Sequence, residues 1–197
     1  MRARVAVLVS GGGTNLQALL DAQASGVLKS GEIVLVISSR PDAYALTRAQ
    51  DAGIEALTVT KADGEAALLH ALAARKIDLV VLAGYLTILG ADLVRRYENR
   101  IVNVHPSLIP AFCGKGFYGL RPHEEALRRG VKITGATVHL VNEIPDGGKI
   151  LAQKAVSVLP GDTPETLQQR VMAEAEWVLL PRAVESLCTE IAKEKSE

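Results

Sequence analysis

The sequence predicts an α/β fold: an open twisted sheet, mostly parallel, with helices on both faces and an antiparallel addition towards the carboxyl end. Three observations predict it. The early strand candidates are continuous apolar runs, the mark of strands covered on both faces. Helical segments alternate with them up to about residue 100, which implies parallel strands joined by right-handed crossovers. Beyond residue 130, two strand patterns follow each other with no helix between them.

The elements follow in order. Val5–Val9 (VAVLV) is the first buried strand, and Ser10-Gly11-Gly12-Gly13-Thr14-Asn15 leads from it into a helix carrying Leu16, Leu19 and Leu20. Ile33–Ile37 is the second strand, ending at Ser38-Ser39-Arg40-Pro41. A helix over residues 43–51 stops at Gly53. Residues 56–59, 65–75 and 79–83 read as strand, helix and strand. Residues 100–105 form a strand entering a long loop, 106 to about 121, rich in Gly, Pro and aromatics. A helix over 123–129 precedes strands over 134–141 and 150–158, joined by Asn142-Glu143-Ile144-Pro145-Asp146-Gly147-Gly148. Thr163 and Pro164 supply the N-cap and first position of a long final helix, 163–192.

The 197 residues suit a single domain spanning 1–197. Twenty-two Lys and Arg balance 22 Asp and Glu, which argues against a protein that grips nucleic acid or an anionic membrane. Two distant cysteines, Cys113 and Cys188, and the lack of a signal-like or membrane-length apolar segment point to a reduced, cytoplasmic protein. The four histidines have no metal-ligand spacing, so no metal is expected.

In a parallel sheet, ligands sit beyond the carboxyl ends of the strands. Three stretches there carry chemistry. Gly11–Asn15 joins a strand to a helix, so backbone N–H groups and a helix N-terminus converge on a site suited to phosphate. The plainer alternative is a tight turn with a helix cap. The loop lacks the Gly-Lys-Ser/Thr ending of a P-loop, and Leu16 stands where a dinucleotide fingerprint needs its third glycine. A substrate resembling a nucleoside monophosphate therefore fits better than NAD. Asn103 and His105 lie two apart on a strand and so share a face. An amide can donate to a developing oxyanion and an imidazole can move a proton; a structural pair bracing the loop is the alternative. Asp146, before Gly147-Gly148, has the pattern of a turn. Placed near an imidazole, its carboxylate would orient the ring and raise its pKa. Thr137 and His139 alternate on a strand as supporting candidates, with a satisfied core histidine the equal alternative for His139. His70 and His123 read as surface or capping residues, and Trp177 as packing.

Together these stretches resemble the phosphoribosylglycinamide formyltransferases, in their bacterial form, along nearly the whole chain. The resemblance rests on Ser10–Leu16 (SGGGTNL), Leu82–Leu86 (LAGYL), Asn103–Pro110 (NVHPSLIP), Gly135–His139 (GATVH) and Asp146-Gly147-Gly148. It implies a single-domain, Rossmann-like formyltransferase fold and transfer of a formyl group from 10-formyltetrahydrofolate, a co-substrate, to the amine of glycinamide ribonucleotide. It implies that Asn103 and His105 hold the formyl oxygen and its oxyanion, that His105 acts as an acid in proton transfer, and that Asp146 supports the charged form of His105. Gly12, Gly13, Thr14 and Asn15 would bind the ribonucleotide phosphate, and Glu176 the ribose hydroxyls. Lys61, Leu86, Thr87, Ile88, Leu89 and Asn103 would line the folate site. On this reading residues 1–100 bind the ribonucleotide and 101–160 carry catalysis and folate. The partners would be small molecules, not nucleic acid or membrane, and the protein a monomer or homodimer. Thr87 departs from the arginine expected there, and Lys61 is the nearest counterpart of another family arginine. Residues 111–119 match a flap that excludes water. Methionyl-tRNA formyltransferase and formyltetrahydrofolate deformylase share the Asn-x-His…Asp pattern. The first would need a further carboxyl-terminal domain and basic surface; the second would have no use for the phosphate loop. A non-catalytic nucleotide-binding module would leave Asn103, His105 and Asp146 without a joint task.

Overall fold

The computed structural model describes residues 1–196. Strands and helices alternate through β1 (Ala3–Val9), α1 (Thr14–Ala24), β2 (Gly31–Ser38), α2 (Tyr44–Asp51), β3 (Glu55–Thr58), α3 (Gly64–Ala74) and β4 (Leu79–Leu82). There follow α4 (Ala91–Arg96), β5 (Ile101–His105), α5 (Arg121–Arg129), β6 (Ile133–Leu140) and β7 (Ile150–Ser157). α6 (Pro164–Val171), a π-helical turn (Met172–Glu176) and α7 (Trp177–Glu194) complete the chain's helices.

The seven strands form one sheet in the order β3-β2-β1-β4-β5-β6-β7. β1 to β5 run parallel, β6 is antiparallel to β5, and β7 is antiparallel to β6. The winding reverses between β1 and β4, which opens a crevice outside their carboxyl ends. The alternation along β1 explains its unbroken apolar run. Val5, Val7 and Val9 pack on one face with α1 and α7; Ala6 and Leu8 pack on the other with α3 and α4. Both faces are covered, so no polar residue is needed between them.

Two features depart from the sequence reading. α4 was not expected: six residues are too few to display a helical period. A distant side chain holds its start. Glu65 accepts from the N–H of Gly90 and, at 3.0 Å, from that of Leu93. The final helix begins as expected, with Thr163 accepting from Thr166 N–H and the Thr166 hydroxyl accepting from Thr163 N–H. It is not one regular helix to residue 192, because the π turn interrupts it at Met172–Glu176 and α7 runs on to Glu194.

Candidate active site

A cavity of about 800 Å³ lies beyond β1, β4 and β5. The glycine loop, the segment after β4, the end of β5, the flap, the Pro145-Asp146 turn and one face of the final helix enclose it. The two halves of the crevice are tied together. Leu86 N–H donates to the Ser10 hydroxyl at 2.9 Å, and Ser10 and Ser39 share a bond of 2.7 Å.

The glycine loop has its carbonyls turned away from the cavity. Gly11 O accepts from Ala45 N–H at 3.1 Å, Gly12 O from Arg48 Nε at 2.8 Å, and Gly13 O from Gln17 N–H at 2.9 Å. Across a trans peptide the N–H opposes the C=O. The N–H groups of Gly12, Gly13 and Thr14 therefore point the other way, towards an anion placed at the start of α1. Gly13 has φ 73°, and a Cβ there would lie 2.6 Å from Cβ of Ala45. No other residue meets both conditions.

Register places the reacting group. Asn103 of β5 pairs with His139 of β6, and His105 with Thr137. Nδ1 of His139 faces Leu140 O at 2.8 Å; a carbonyl only accepts, so that nitrogen carries hydrogen. Nε2 of the same ring lies 3.2 Å from the Asn103 amide nitrogen, which holds the amide in place beside the site. Asp146 Oδ1 lies 3.4 Å from the same His139 nitrogen, and Asp146 Oδ2 lies 3.5 Å from Nδ1 of His105. By the same reasoning, Nε2 of His105 donates to Phe112 O at 2.9 Å, leaving Nδ1 as its proton-accepting atom beside Asp146. Asp146 occupies the left-handed region at φ 55° and takes a hydrogen bond of 2.8 Å from Gly114 N–H. A Cβ at Gly148 would lie 1.7 Å from Leu140 O, so the turn that delivers Asp146 needs glycine there.

Asp146 acts on His105 in the expected direction, but burial outweighs it. Burial dominates at His105 and holds its pKa below the usual imidazole range; Asp146 and the Phe112 carbonyl pull upward without overcoming it, and His139 adds to the lowering. At Asp146, burial pulls the pKa upward, but His139, His105 and the Gly114 N–H outweigh it and keep the carboxyl low. The resting site thus pairs a neutral imidazole with a carboxylate, and charging His105 draws a proton between them.

Glu176 is buried at the end of the π turn, and burial pushes its pKa up to about 7 against the bond it accepts from Asn15 Nδ2 at 2.7 Å. The oxygen of the same amide, Asn15 Oδ1, is buried without a partner among the described residues. Thr14 reaches Met172 Sδ at 3.7 Å. On the opposite side, Leu86 and Ile88 are exposed apolar residues, and Leu86, Thr87, Ile88 and Leu89 wall a smaller recess shared with Asn103 and Ile144. Lys61 lies outside that recess. It borders a neighbouring depression whose common wall is Tyr85 and residues 87–89. Thr137 does not face the cavity: it donates to Ser107 O at 2.7 Å and accepts from Ile109 N–H at 3.0 Å, pinning the base of the loop after β5.

His123 is another correction. It is fully buried, with both ring nitrogens unpartnered among the described residues, and burial together with the nearby His105 takes its pKa down to about 4. Its signal was its spacing with Ala126, three residues on, which makes it part of the buried face of an otherwise charged α5. Sequence reasoning also missed Gln168, Met172 and Lys115, all of which line the cavity. The first two could have been found, since Gln168, Met172 and Glu176 recur every four residues on one helical face.

Comparison with known proteins shows the family and the fold. The Formyl transferase family profile matches residues 3–184. The chain is 39% identical over 199 residues to "Phosphoribosylglycinamide formyltransferase, chloroplastic" of Arabidopsis thaliana, covering 98% of this chain and 68% of that protein. It is 42% identical to "Trifunctional purine biosynthetic protein adenosine-3" of Drosophila melanogaster, covering 94% of this chain but 14% of that protein. The solved glycinamide ribonucleotide transformylase 1 from Symbiobacterium toebii superposes with a TM-score of 0.89 at 43% identity, over 96% of this chain and 89% of that one. A family profile spanning nearly the whole sheet, and a solved relative of the same architecture, lead to one conclusion: the chain belongs to the formyl transferase family.

Proposed function

We propose that this protein transfers the formyl group of 10-formyltetrahydrofolate to the amine of 5'-phosphoribosylglycinamide. The products are N-formyl-phosphoribosylglycinamide and tetrahydrofolate, and the setting is purine biosynthesis. The observation that carries the reading is that the glycine loop and the Asn103–His105–Asp146 group line one cavity. A phosphate held at the start of α1 and a carbonyl held at Asn103 would be the two ends of one reacting pair.

The steps follow from the side chains. The amine nitrogen bonds to the formyl carbon, and the carbonyl electron pair moves onto oxygen. The Asn103 amide, oriented by His139, donates to that oxyanion. The amine loses a proton and the departing folate nitrogen gains one. His105 Nδ1, paired with Asp146, is the relay on this path. The carbonyl then re-forms as the carbon–nitrogen bond to folate breaks. Leu86 and Ile88 offer apolar surface to the folate ring, with Thr87 and Leu89 completing the wall. Gly12–Asn15 take the phosphate and Glu176 the ribose hydroxyls. Lys61, across the shared wall, is assigned only to the folate's outer end. The flap excludes water, which competes with the amine for the formyl group.

On the same reading residues 1–100 serve the ribonucleotide and 101–160 serve catalysis and folate, with the final helix closing the ribonucleotide side. The enzyme works in the cytoplasm on small molecules, as a monomer or homodimer. Among the described residues no helix is long and apolar enough to cross a membrane. The purified protein is expected to release tetrahydrofolate from 10-formyltetrahydrofolate only when glycinamide ribonucleotide is supplied. Equal turnover without the amine would mean a hydrolytic deformylase and would sink the proposal.

A further inference from the structure

The flap carries a feature that water exclusion leaves unused. Lys115 stands between Gly114 at φ 88° and Gly116 at φ 90°, and it lines the main cavity. Among the residues that line this cavity, it is the only lysine or arginine. The carboxyl groups there belong to Asp146 and Glu176. A phosphate monoester entering this space brings close to two negative charges. Backbone N–H groups supply partial charges alone, so the cavity otherwise lacks a full positive charge to meet the ligand.

The neighbouring cation does not fill that need. Arg48 is committed from outside the cavity: Nε to Gly12 O and Nη1 to Gln17 Oε1, both at 2.8 Å, with its guanidinium 5.0 Å from the Tyr44 ring. Lys115 is different. It is exposed and makes no hydrogen bond or ion pair among the described residues. Its segment is fastened on the ribonucleotide side as well as at the catalytic carboxylate. Gly119 O accepts from Gln168 Nε2 at 3.3 Å, and Gln168 shares the helical face of Met172 and Glu176. Gly114 N–H is held by Asp146 at the other end. The lysine is thus strung between the group that does chemistry and the wall that faces the glycine loop.

We propose that Lys115 is a specificity residue for the phosphate: its ammonium folds over the glycine loop and pairs with the phosphate monoester of the amine substrate. The assignment rests on the proposed ribonucleotide site and goes beyond it by naming the cation that recognises the phosphate's charge. A free, long-stemmed lysine on a flap suits this task, because it can follow a ligand as the flap settles.

The test compares the wild type with Lys115→Ala and Lys115→Arg. Binding of ribose 5-phosphate is measured by calorimetry, so the result does not depend on turnover. Steady-state constants are then measured for glycinamide ribonucleotide and for its dephosphorylated riboside. Lys115→Ala should weaken ribose 5-phosphate binding and raise KM for the ribonucleotide by roughly tenfold, as for a lost charge-assisted hydrogen bond. KM for the riboside should stay the same, and Lys115→Arg should recover most of the affinity. Equal losses for phosphorylated and dephosphorylated substrates would overturn the assignment. So would a rise confined to KM for the folate, which would place the lysine against folate carboxylates. If wild-type protein binds ribose 5-phosphate through Lys115 yet turns over no ribonucleotide, the proposed reaction fails while this phosphate contact stands.

Discussion

At His105 the balance between burial and charge decides the chemistry. A carboxylate 3.5 Å away favours the imidazolium, yet burial wins and holds the ring neutral before substrate arrives. A neutral ring can accept a proton from the attacking amine, and Asp146 then stabilises the charge it has gained. Asp146→Asn keeps the shape of the turn but removes that stabilisation. Its kcat is expected to fall on the order of 10²–10⁴-fold, the range for a lost general acid–base contribution, with a much smaller change in KM for either substrate. Steady-state kinetics checks this, and wild-type kcat in the variant would remove Asp146 from the mechanism. Asp146 was legible as a residue, because an Asp-Gly-Gly turn stands out. Its partners were not: His139 and His105 meet it only through the antiparallel pairing of β5 with β6.

The final helix shows how an irregular element places a group. A π turn widens the helix at Met172–Glu176 and ends on Glu176, which accepts directly from Asn15 at the cavity wall. The carboxyl is buried and its pKa rises from 4.5 to about 7. The sign follows. Between these values the unfolded chain releases this proton and the folded chain keeps it, so stability falls as pH rises from 4.5 to 7 and stays lower above. Glu176→Gln removes the titration. Urea unfolding should show the variant more stable than wild type at pH 8, by up to about 3 kcal/mol, with the gap closing towards pH 4.5. A gap that does not change with pH would refute the assigned titration. The start of this helix could be read from Thr163 and Pro164, since caps are local. The π turn could not, because no residue type marks it and the packing of α6 and α7 against the sheet and α1 decides it.

For the molecule as a whole, two buried groups of opposite kind bracket the stability profile. Glu176 works against stability as pH rises; His123 works against it as pH falls. The folded-state pKa of His123 is about 4 against an ordinary 6.5, so the unfolded chain gains a proton first as acid is added. Stability from this group is present above 6.5 and is lost progressively down to about 4. His123→Leu should therefore lose less stability between pH 7 and pH 4.5 than wild type does, by up to about 3 kcal/mol. Unfolding titrations at the two pH values test it, and parallel losses in both proteins would show that other groups set the acid limb.

The linear order of residues was enough for the layered α/β architecture, the two-faced strands and the glycine loop. Those features follow from local periods and from backbone chemistry that a few neighbouring residues set. It was enough, too, to nominate Asn103, His105 and Asp146, because strand alternation and turn residues are short-range. Folding settled what depends on distant neighbours. It buried His123, turned Thr137 into a pin for the loop, set Lys61 across a wall from the smaller recess and placed Lys115 on the lining of the main cavity. It also set the net pKa of His105 low against the expected upward pull of Asp146, since desolvation depends on the three-dimensional surroundings of a group, and sequence spacing does not measure it.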